Sequence, residues 1–208
     1  MRGKGTGLII LGILLILGAC GLGAYNIRES DQAQLESDRL SQSLQEKIPQ
    51  LPAETAPVAA PGEIAVPTLP DYVLFPSLEM PVVEVDGRGY VGMVSIPVLG
   101  LELPVINEWS YPALKIAPCR YVGSAYSDDM IIMAHNYRSH FGRLKELRPD
   151  DQVIFTDMDG NVFIYLVAEL ETLERTAVED MEAGDWDLTL FTCTYGGRSR
   201  VTVRCIKE

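Results

Sequence analysis

Residues 187–206 read DLTLFTCTYGGRSRVTVRCI, and this stretch decides the fold of the chain. Apolar and polar residues alternate along most of the two segments that flank Gly196-Gly197, with Leu190-Phe191 as the exception, which is typical of two strands joined by a tight turn. Alternation places every second side chain on the same face of a strand. The stretch therefore predicts a β-hairpin.

The choice of residues that form this turn decides which residues of the hairpin face each other. A loop made of the two glycines sets Cys193 opposite Arg200. A loop made of Gly197-Arg198, or of all four residues Gly196–Ser199, sets Cys193 opposite Thr202 instead. In each alternative Arg200 shares a face with Cys193, either opposite or diagonal. We expect Arg198 to lie in the turn itself.

Similar strand signals continue through residues 82–208, a segment long enough to enclose one packed core. Short strands joined by tight turns predict a mostly β fold, a closed barrel of about seven to eight strands with short helices. We expect strands at 89–96, 101–106, 130–134, 152–156, 161–172, 187–195 and 200–206, and helices near 113–117, 141–147 and 177–183.

The N-terminal segment is of a different kind. Residues 7–25 read GLIILGILLILGACGLGAY, an uncharged run preceded by Arg2 and Lys4. About 20 apolar residues cross a bilayer as a helix, and basic residues before the run favour a cytoplasmic N-terminus. Two alternatives are an uncleaved signal anchor and a cleaved export signal, in which Cys20 of the lipobox-like Leu17–Cys20 would be lipidated. Both predict a protein tied to the plasma membrane with its main domain outside.

Between these segments the composition changes twice, which divides the chain into an anchor (1–27), a stalk (28–81) and a barrel (82–208). Residues 28–48 are polar, with leucines at roughly helical spacing, so they predict either a short helix or a solvated charged stalk. Residues 49–81 hold eight of the 13 prolines. That density argues against helix and central strand and predicts an extended spacer.

Charge and cysteine content exclude several classes of function. The 208 residues carry 17 Lys and Arg against 29 Asp and Glu, a net charge of −12, which disfavours nucleic-acid binding. The four cysteines form no CxxC pair, so we expect no structural zinc site. Cys119 and Cys205 are either a disulfide or two buried thiols.

Three residues in the barrel are candidates for chemistry. Cys193 stands near the end of a strand, and a nearby guanidinium such as Arg200 favours the thiolate and can hold an oxyanion. His135 follows the apolar run 130–134. His140 is the only other histidine in the sequence, and for it we expect helix capping or packing.

Together these motifs resemble the sortase family. Residues Thr189-Leu-Phe-Thr-Cys193 are similar to the family's TLxTC motif, and Arg200-x-x-Val203 is similar to its arginine strand. Ala134-His135-Asn136, followed by His140-Phe-Gly-x-Leu144, resembles the surroundings of the sortase histidine. Residues 92–105 resemble the family's first strand, and the ending Cys-Thr-Tyr-Gly-Gly is nearer to class B-like members.

The resemblance implies a membrane-anchored cysteine transpeptidase. Cys193 would attack a carbonyl in the C-terminal sorting motif of a secreted protein, Arg200 would bind the oxyanion, and His135 would protonate the leaving amine. An amine of a peptidoglycan precursor or a pilin would then accept the acyl group, with no cofactor or metal. The alternative is a non-catalytic, membrane-tethered barrel that binds a cell-wall protein. An L,D-transpeptidase is disfavoured because its Ser-x-Gly-Cys motif is absent before Cys193.

Overall fold

The computed structural model of this protein describes residues 3–49, 70–75 and 77–208. Most of the predicted proline-rich spacer, residues 50–69 and Pro76, lies outside the described residues. The barrel region predicted from residue 82 onward is described throughout.

The described part of the chain forms one sheet that closes on itself. Its nine strands are β1 (Val83–Val85), β2 (Arg88–Ile96), β3 (Leu101–Ile106), β4 (Cys119–Val122), β5 (Met130–Ala134), β6 (Gln152–Asp157), β7 (Val162–Glu174), β8 (Leu188–Cys193) and β9 (Ser199–Lys207). They lie in the order β1-β2-β3-β4-β5-β8-β9-β7-β6, and β2 also pairs with β6. Eight strands therefore form the closed ring and β1 extends it beside β2. The predicted mostly β, closed barrel is confirmed.

All seven predicted strands are present, but the sequence patterns indicate neither β1 nor β4. Strand β1 has three residues and β4 has four, and β4 joins β3 through a single parallel pair, Ile106 with Cys119. Strands this short contain too few residues for an alternation of polar and apolar side chains to be recognised.

The helices that follow the N-terminal segment are short. They are α2 (Asp71–Leu74), α3 (Tyr111–Leu114), α4 (Val178–Glu182) and two 3₁₀ helices, Pro97–Leu99 and Phe141–Glu146. The three predicted helical sites are confirmed. Helix α2 corrects the expectation of no helix in the proline-rich segment. Pro70 stands at its N-cap, where the missing N–H removes no helical hydrogen bond.

The segment just before residue 82 packs on the barrel. The ring of Tyr72 stacks on Tyr126 with centroids 4.8 Å apart, and its centroid lies 5.1 Å from that of Phe163. Met80 is buried in the same core. None of these residues lines the groove that contains Cys193.

Helix α1 (Gly3–Gln45) runs from the apolar N-terminal segment to the barrel. Among the described residues it is the one helix long and apolar enough to cross a membrane. Large apolar side chains of residues 8–27 are exposed on it, as a lipid-covered surface requires. The helical alternative for residues 28–48 is confirmed through Gln45.

The polar half of α1 docks on the barrel. Leu40 and Leu44 are buried against the cluster that includes Tyr90 and Ile106. Burial of a leucine contributes about 1.5–3 kcal/mol, so the contact stabilises the docked helix. Near the apolar segment of α1, Lys115 Nζ lies 2.7 Å from Glu29 Oε1. The helix is therefore part of the packed structure.

The alternatives for Cys119 and Cys205 are also decided. Both are buried and neither is disulfide-bonded, so the alternative of two buried thiols is the one observed. Burial raises the pKa of each to about 12. Since the thiolate is the reactive form, both sulfurs are inert at neutral pH.

Candidate active site

Three neighbouring strands bring the predicted site residues together. Strands β5 and β8 are parallel, with Ala134 beside Thr192, so His135 and Cys193 follow at the same end of the sheet. The hydroxyl of Thr192 donates a hydrogen bond of 2.8 Å to the Ala134 carbonyl. This bond fixes the two strands to each other one residue before the candidate histidine and cysteine. Strand β9 then adds Arg200 on the other side of Cys193.

The β8–β9 hairpin adopts the register in which Cys193 faces Arg200. Four residues, Tyr195–Arg198, form the loop, with the Thr194 amide bonded to the Ser199 carbonyl at 2.9 Å. Arg200 Nη1 donates a hydrogen bond to Cys193 Sγ at 3.2 Å. Arg198 is exposed in the loop, as expected. The guanidinium of Arg200 thus lies where negative charge on the sulfur is stabilised.

His135 lies half-buried at the end of β5, and charged groups from two other parts of the chain act on it. Its ring packs on Tyr137, with centroids 4.8 Å apart. Burial and the positive charge of Lys115 lower the pKa of His135, and the carboxylate of Glu29 on α1 raises it in part. The docked helix therefore acts electrostatically on the candidate general acid. The sequence patterns do not predict this influence.

His140 is fully buried, and its ring lies 5.4 Å from that of Tyr137. No side-chain cap is formed at the 3₁₀ helix that begins at Phe141, so packing, not capping, is its role. Its ring nitrogens form no well-aligned hydrogen bond within the described residues. The nearby backbone of Ile116 raises the pKa of His140 slightly, against the larger effect of burial. Burial lowers the pKa of His140 to about 4. It is therefore neutral at physiological pH.

A groove of about 380 Å³ contains His135, Cys193 and Arg200. One wall is aromatic, with Trp109, Tyr111 and Tyr121, and the other is α4 with its flanking residues. The segment after β7 therefore shapes the pocket. The aromatic wall is not predicted from the sequence, although two aromatic residues in a polar turn at 107–111 are a signal for it.

The arrangement suits acyl transfer. A half-buried thiol touches a guanidinium, and an imidazole lies in the same groove, which supplies a nucleophile, an oxyanion donor and a proton donor. Within the described residues, no group of three or more His, Cys, Asp or Glu side chains is placed to hold a metal ion.

Comparisons with known proteins agree with this geometry. Sortase C1 from Streptococcus agalactiae is 26% identical to this chain, with a TM-score of 0.52. The match covers 60% of this chain and 70% of the Streptococcus agalactiae protein. A lid mutant of sortase A from Corynebacterium diphtheriae is 19% identical, with coverage of 58% and 71% and a TM-score of 0.51. This second likeness establishes the fold alone. No curated protein matches the sequence.

A family model described as the sortase domain matches residues 94–208, which is more than half of the chain. The match includes β5, β8 and β9, the three strands that carry the candidate site. The chain therefore belongs to the sortase family of cysteine transpeptidases.

Proposed function

We propose that this sortase cleaves a C-terminal sorting motif of secreted proteins and transfers the acyl group to an amine of a peptidoglycan precursor or a pilin. The sulfur of Cys193 attacks the scissile carbonyl, and the carbonyl oxygen becomes an oxyanion. Arg200 donates hydrogen bonds to that oxyanion from its guanidinium. Collapse of the tetrahedral intermediate breaks the C–N bond and leaves a thioester on Cys193.

His135 completes the proposed cycle through proton transfer. As imidazolium, it protonates the departing amine, so that the amine leaves as a neutral group. The neutral imidazole then accepts a proton from the incoming amine as that amine attacks the thioester. The products are a new amide bond, the Cys193 thiolate and the His135 imidazolium, which is the state in which the cycle began. The proposed reaction uses no cofactor.

The single observation that carries this proposal is the contact between Arg200 Nη1 and Cys193 Sγ, 3.2 Å long, at the strand end beside His135. A cysteine that only fills space in a core is surrounded by apolar atoms. Cys119 and Cys205, both fully buried, have that character in this protein. Cys193 differs because it lies half-buried in a groove beside a cation.

We place the protein in the plasma membrane, with residues 7–25 of α1 as a single span. The N-terminus is cytoplasmic, and the barrel of residues 82–208, joined by the 28–81 segment, is extracellular. Arg2 and Lys4 before the span and the exposed apolar side chains on it support this orientation.

The test is to incubate the detergent-solubilised full chain with LPxTG-like and NPxTN-like peptides and an amine, followed by mass spectrometry. A thioacyl adduct on Cys193 and an amide product are expected with at least one peptide. Cys193→Ala should give neither, while it removes little volume and leaves the fold intact. Peptide binding without any adduct in wild type would favour the alternative of a non-catalytic barrel that binds a cell-wall protein.

A further inference from the structure

A second arginine of β9, Arg204, is almost fully buried, with 3% of its side chain exposed. Its Nε lies 2.7 Å from Glu171 Oε1 on β7, and its Nη1 donates to Thr189 Oγ1 on β8 at 3.1 Å. Charged side chains are buried only when they are paired and hydrogen-bonded. The proposed reaction leaves Arg204 without a role, so the position calls for another explanation.

The same guanidinium holds the end of α4. Its Nη1 also donates to the Met181 carbonyl at 2.7 Å, and its Nη2 donates to the Asp180 carbonyl at 2.6 Å. The last carbonyls of a helix have no partner within the helix, and positive charge is favourable there. Arg204 therefore satisfies the C-terminal end of α4 and joins it to β7 and β8.

The segment that Arg204 holds is strongly acidic. Residues 171–187 contain seven Asp and Glu and one basic residue, Arg175. Mutual repulsion of these carboxylates opposes close packing of the segment on the barrel. Within the described residues, Glu171 is the one carboxylate of the segment that forms a salt bridge, and its partner is Arg204.

Helix α4 is also a wall of the catalytic groove. Ala177, Val178 and Met181 line the groove that contains Cys193. Every second residue of β9 lies on the same face, which therefore carries Arg200, Thr202 and Arg204. Thr202 Oγ1 lies 3.9 Å from Met181 Sδ. One face of one strand thus contacts the candidate nucleophile at one end and the groove wall at the other.

We propose that Arg204 is a positioning residue that fixes α4 against the barrel and so sets the binding of the donor peptide. This inference rests on the proposed function, since it names the residue that holds one wall of that same groove. Arg204 does not touch the sulfur and is not a catalytic residue. Its loss should release the wall and leave the nucleophile in place.

The test compares Arg204→Met with Arg148→Met, which removes an exposed arginine of the same charge as a matched control. For Arg204→Met we expect KM for the donor peptide to rise about tenfold, with kcat within about twofold of wild type. Alkylation of Cys193 by iodoacetamide should keep its wild-type rate. Amide hydrogen exchange of residues 178–183 should become faster. Arg148→Met should leave all four measurements unchanged.

Two milder variants keep the proposal testable if Arg204→Met does not fold. Glu171→Gln removes the charge partner, and Arg204→Lys keeps the charge but cannot reach both carbonyls and Glu171 at once. Both should raise KM and the exchange of residues 178–183 by smaller factors. An unchanged KM and unchanged exchange in every folded variant would overturn the proposal, as would an equal loss in kcat and alkylation rate. If wild type forms no adduct, the proposed function fails, whereas the exchange measurement still decides whether Arg204 holds α4.

Discussion

Arg200 donates a hydrogen bond from Nη1 to the sulfur of Cys193 across the β8–β9 ladder, at 3.2 Å. The two residues are direct partners in the register, so their side chains leave the same face of adjacent strands. The Arg200 guanidinium also lies 6.0 Å from the ring centroid of Phe191. The cation therefore lies beside two side chains of β8 before any substrate binds.

From this contact we expect Arg200→Ala to lower the rate of thioacyl formation strongly. Loss of an oxyanion donor costs about 10²–10³-fold in rate, or about 3–4 kcal/mol. Arg200→Lys should recover only part of that loss, because an ammonium cannot reproduce the planar fork of donors. Single-turnover adduct formation, followed by mass spectrometry, measures both effects.

Arg198→Ala is the matched control, since Arg198 is exposed in the turn two residues away. Its rate should stay within a few-fold of wild type. A rate collapse in Arg198→Ala, with Arg200→Ala near normal, would reverse the assignment and contradict the observed register.

The two histidines should separate activity from stability. His135→Ala should lower kcat/KM by about 10²–10⁴-fold, the usual worth of a positioned proton donor. His140→Ala should mainly lower the free energy of unfolding, because His140 is buried outside the groove. Kinetics at a temperature where both variants are folded, together with urea unfolding, checks the distinction. Equal losses of turnover would count against His135 as the proton donor.

The lowered pKa of His140 also predicts that the free energy of unfolding depends on pH. Its pKa is about 4 in the folded chain and near 6.5 when unfolded, so between these values the unfolded state binds more protons. Stability should therefore fall as pH drops from about 6.5 to about 4, by up to about 3 kcal/mol from this group.

His140→Leu cannot take up this proton, so that part of the pH dependence should disappear. Urea unfolding of wild type and His140→Leu across this pH range provides the measurement. His135, whose pKa is also lowered, contributes with the same sign and remains in both proteins. Parallel pH profiles of the two proteins would show that His140 is not the titrating group.

Helix α1 should stabilise the barrel outside the membrane as well. Leu40 is 4% exposed and Leu44 is fully buried, so Leu40→Ala and Leu44→Ala should each cost about 2–5 kcal/mol. Leu35, which is 70% exposed on the same helix, is the control, and Leu35→Ala should be nearly neutral. Thermal unfolding of a chain that begins at Arg28 measures the three variants.

A chain that begins at Val82 should be less stable than one that begins at Arg28, because it lacks Leu40, Leu44, Tyr72 and Met80. Equal unfolding temperatures for the two chains would mean that α1 and the segment 70–81 only rest on the surface.

Local signals in the sequence were enough to predict a closed barrel and to select the candidate site residues. Alternation along 187–206, the Gly-Gly turn and the apolar run before His135 depend only on neighbours in the chain. Hydrophobicity that repeats every two residues indicates a strand directly, because the repeat follows from the geometry of a single strand. The sortase family follows from the same short motifs and is confirmed by the family match to residues 94–208. The class B-like assignment stays a prediction.

Tertiary structure decided what depends on residues far apart in the chain. The pairing of Cys193 with Arg200 depends on which residues form the loop, and a Gly-Gly turn leaves this open because glycine permits several turn geometries. The docking of α1 beside Lys115 and the burial of Arg204 under α4 exist only once the barrel has closed. Closure brings together surfaces whose complementarity has no period in the sequence, so the environment of His135 and the wall of the groove could be known only from the folded chain.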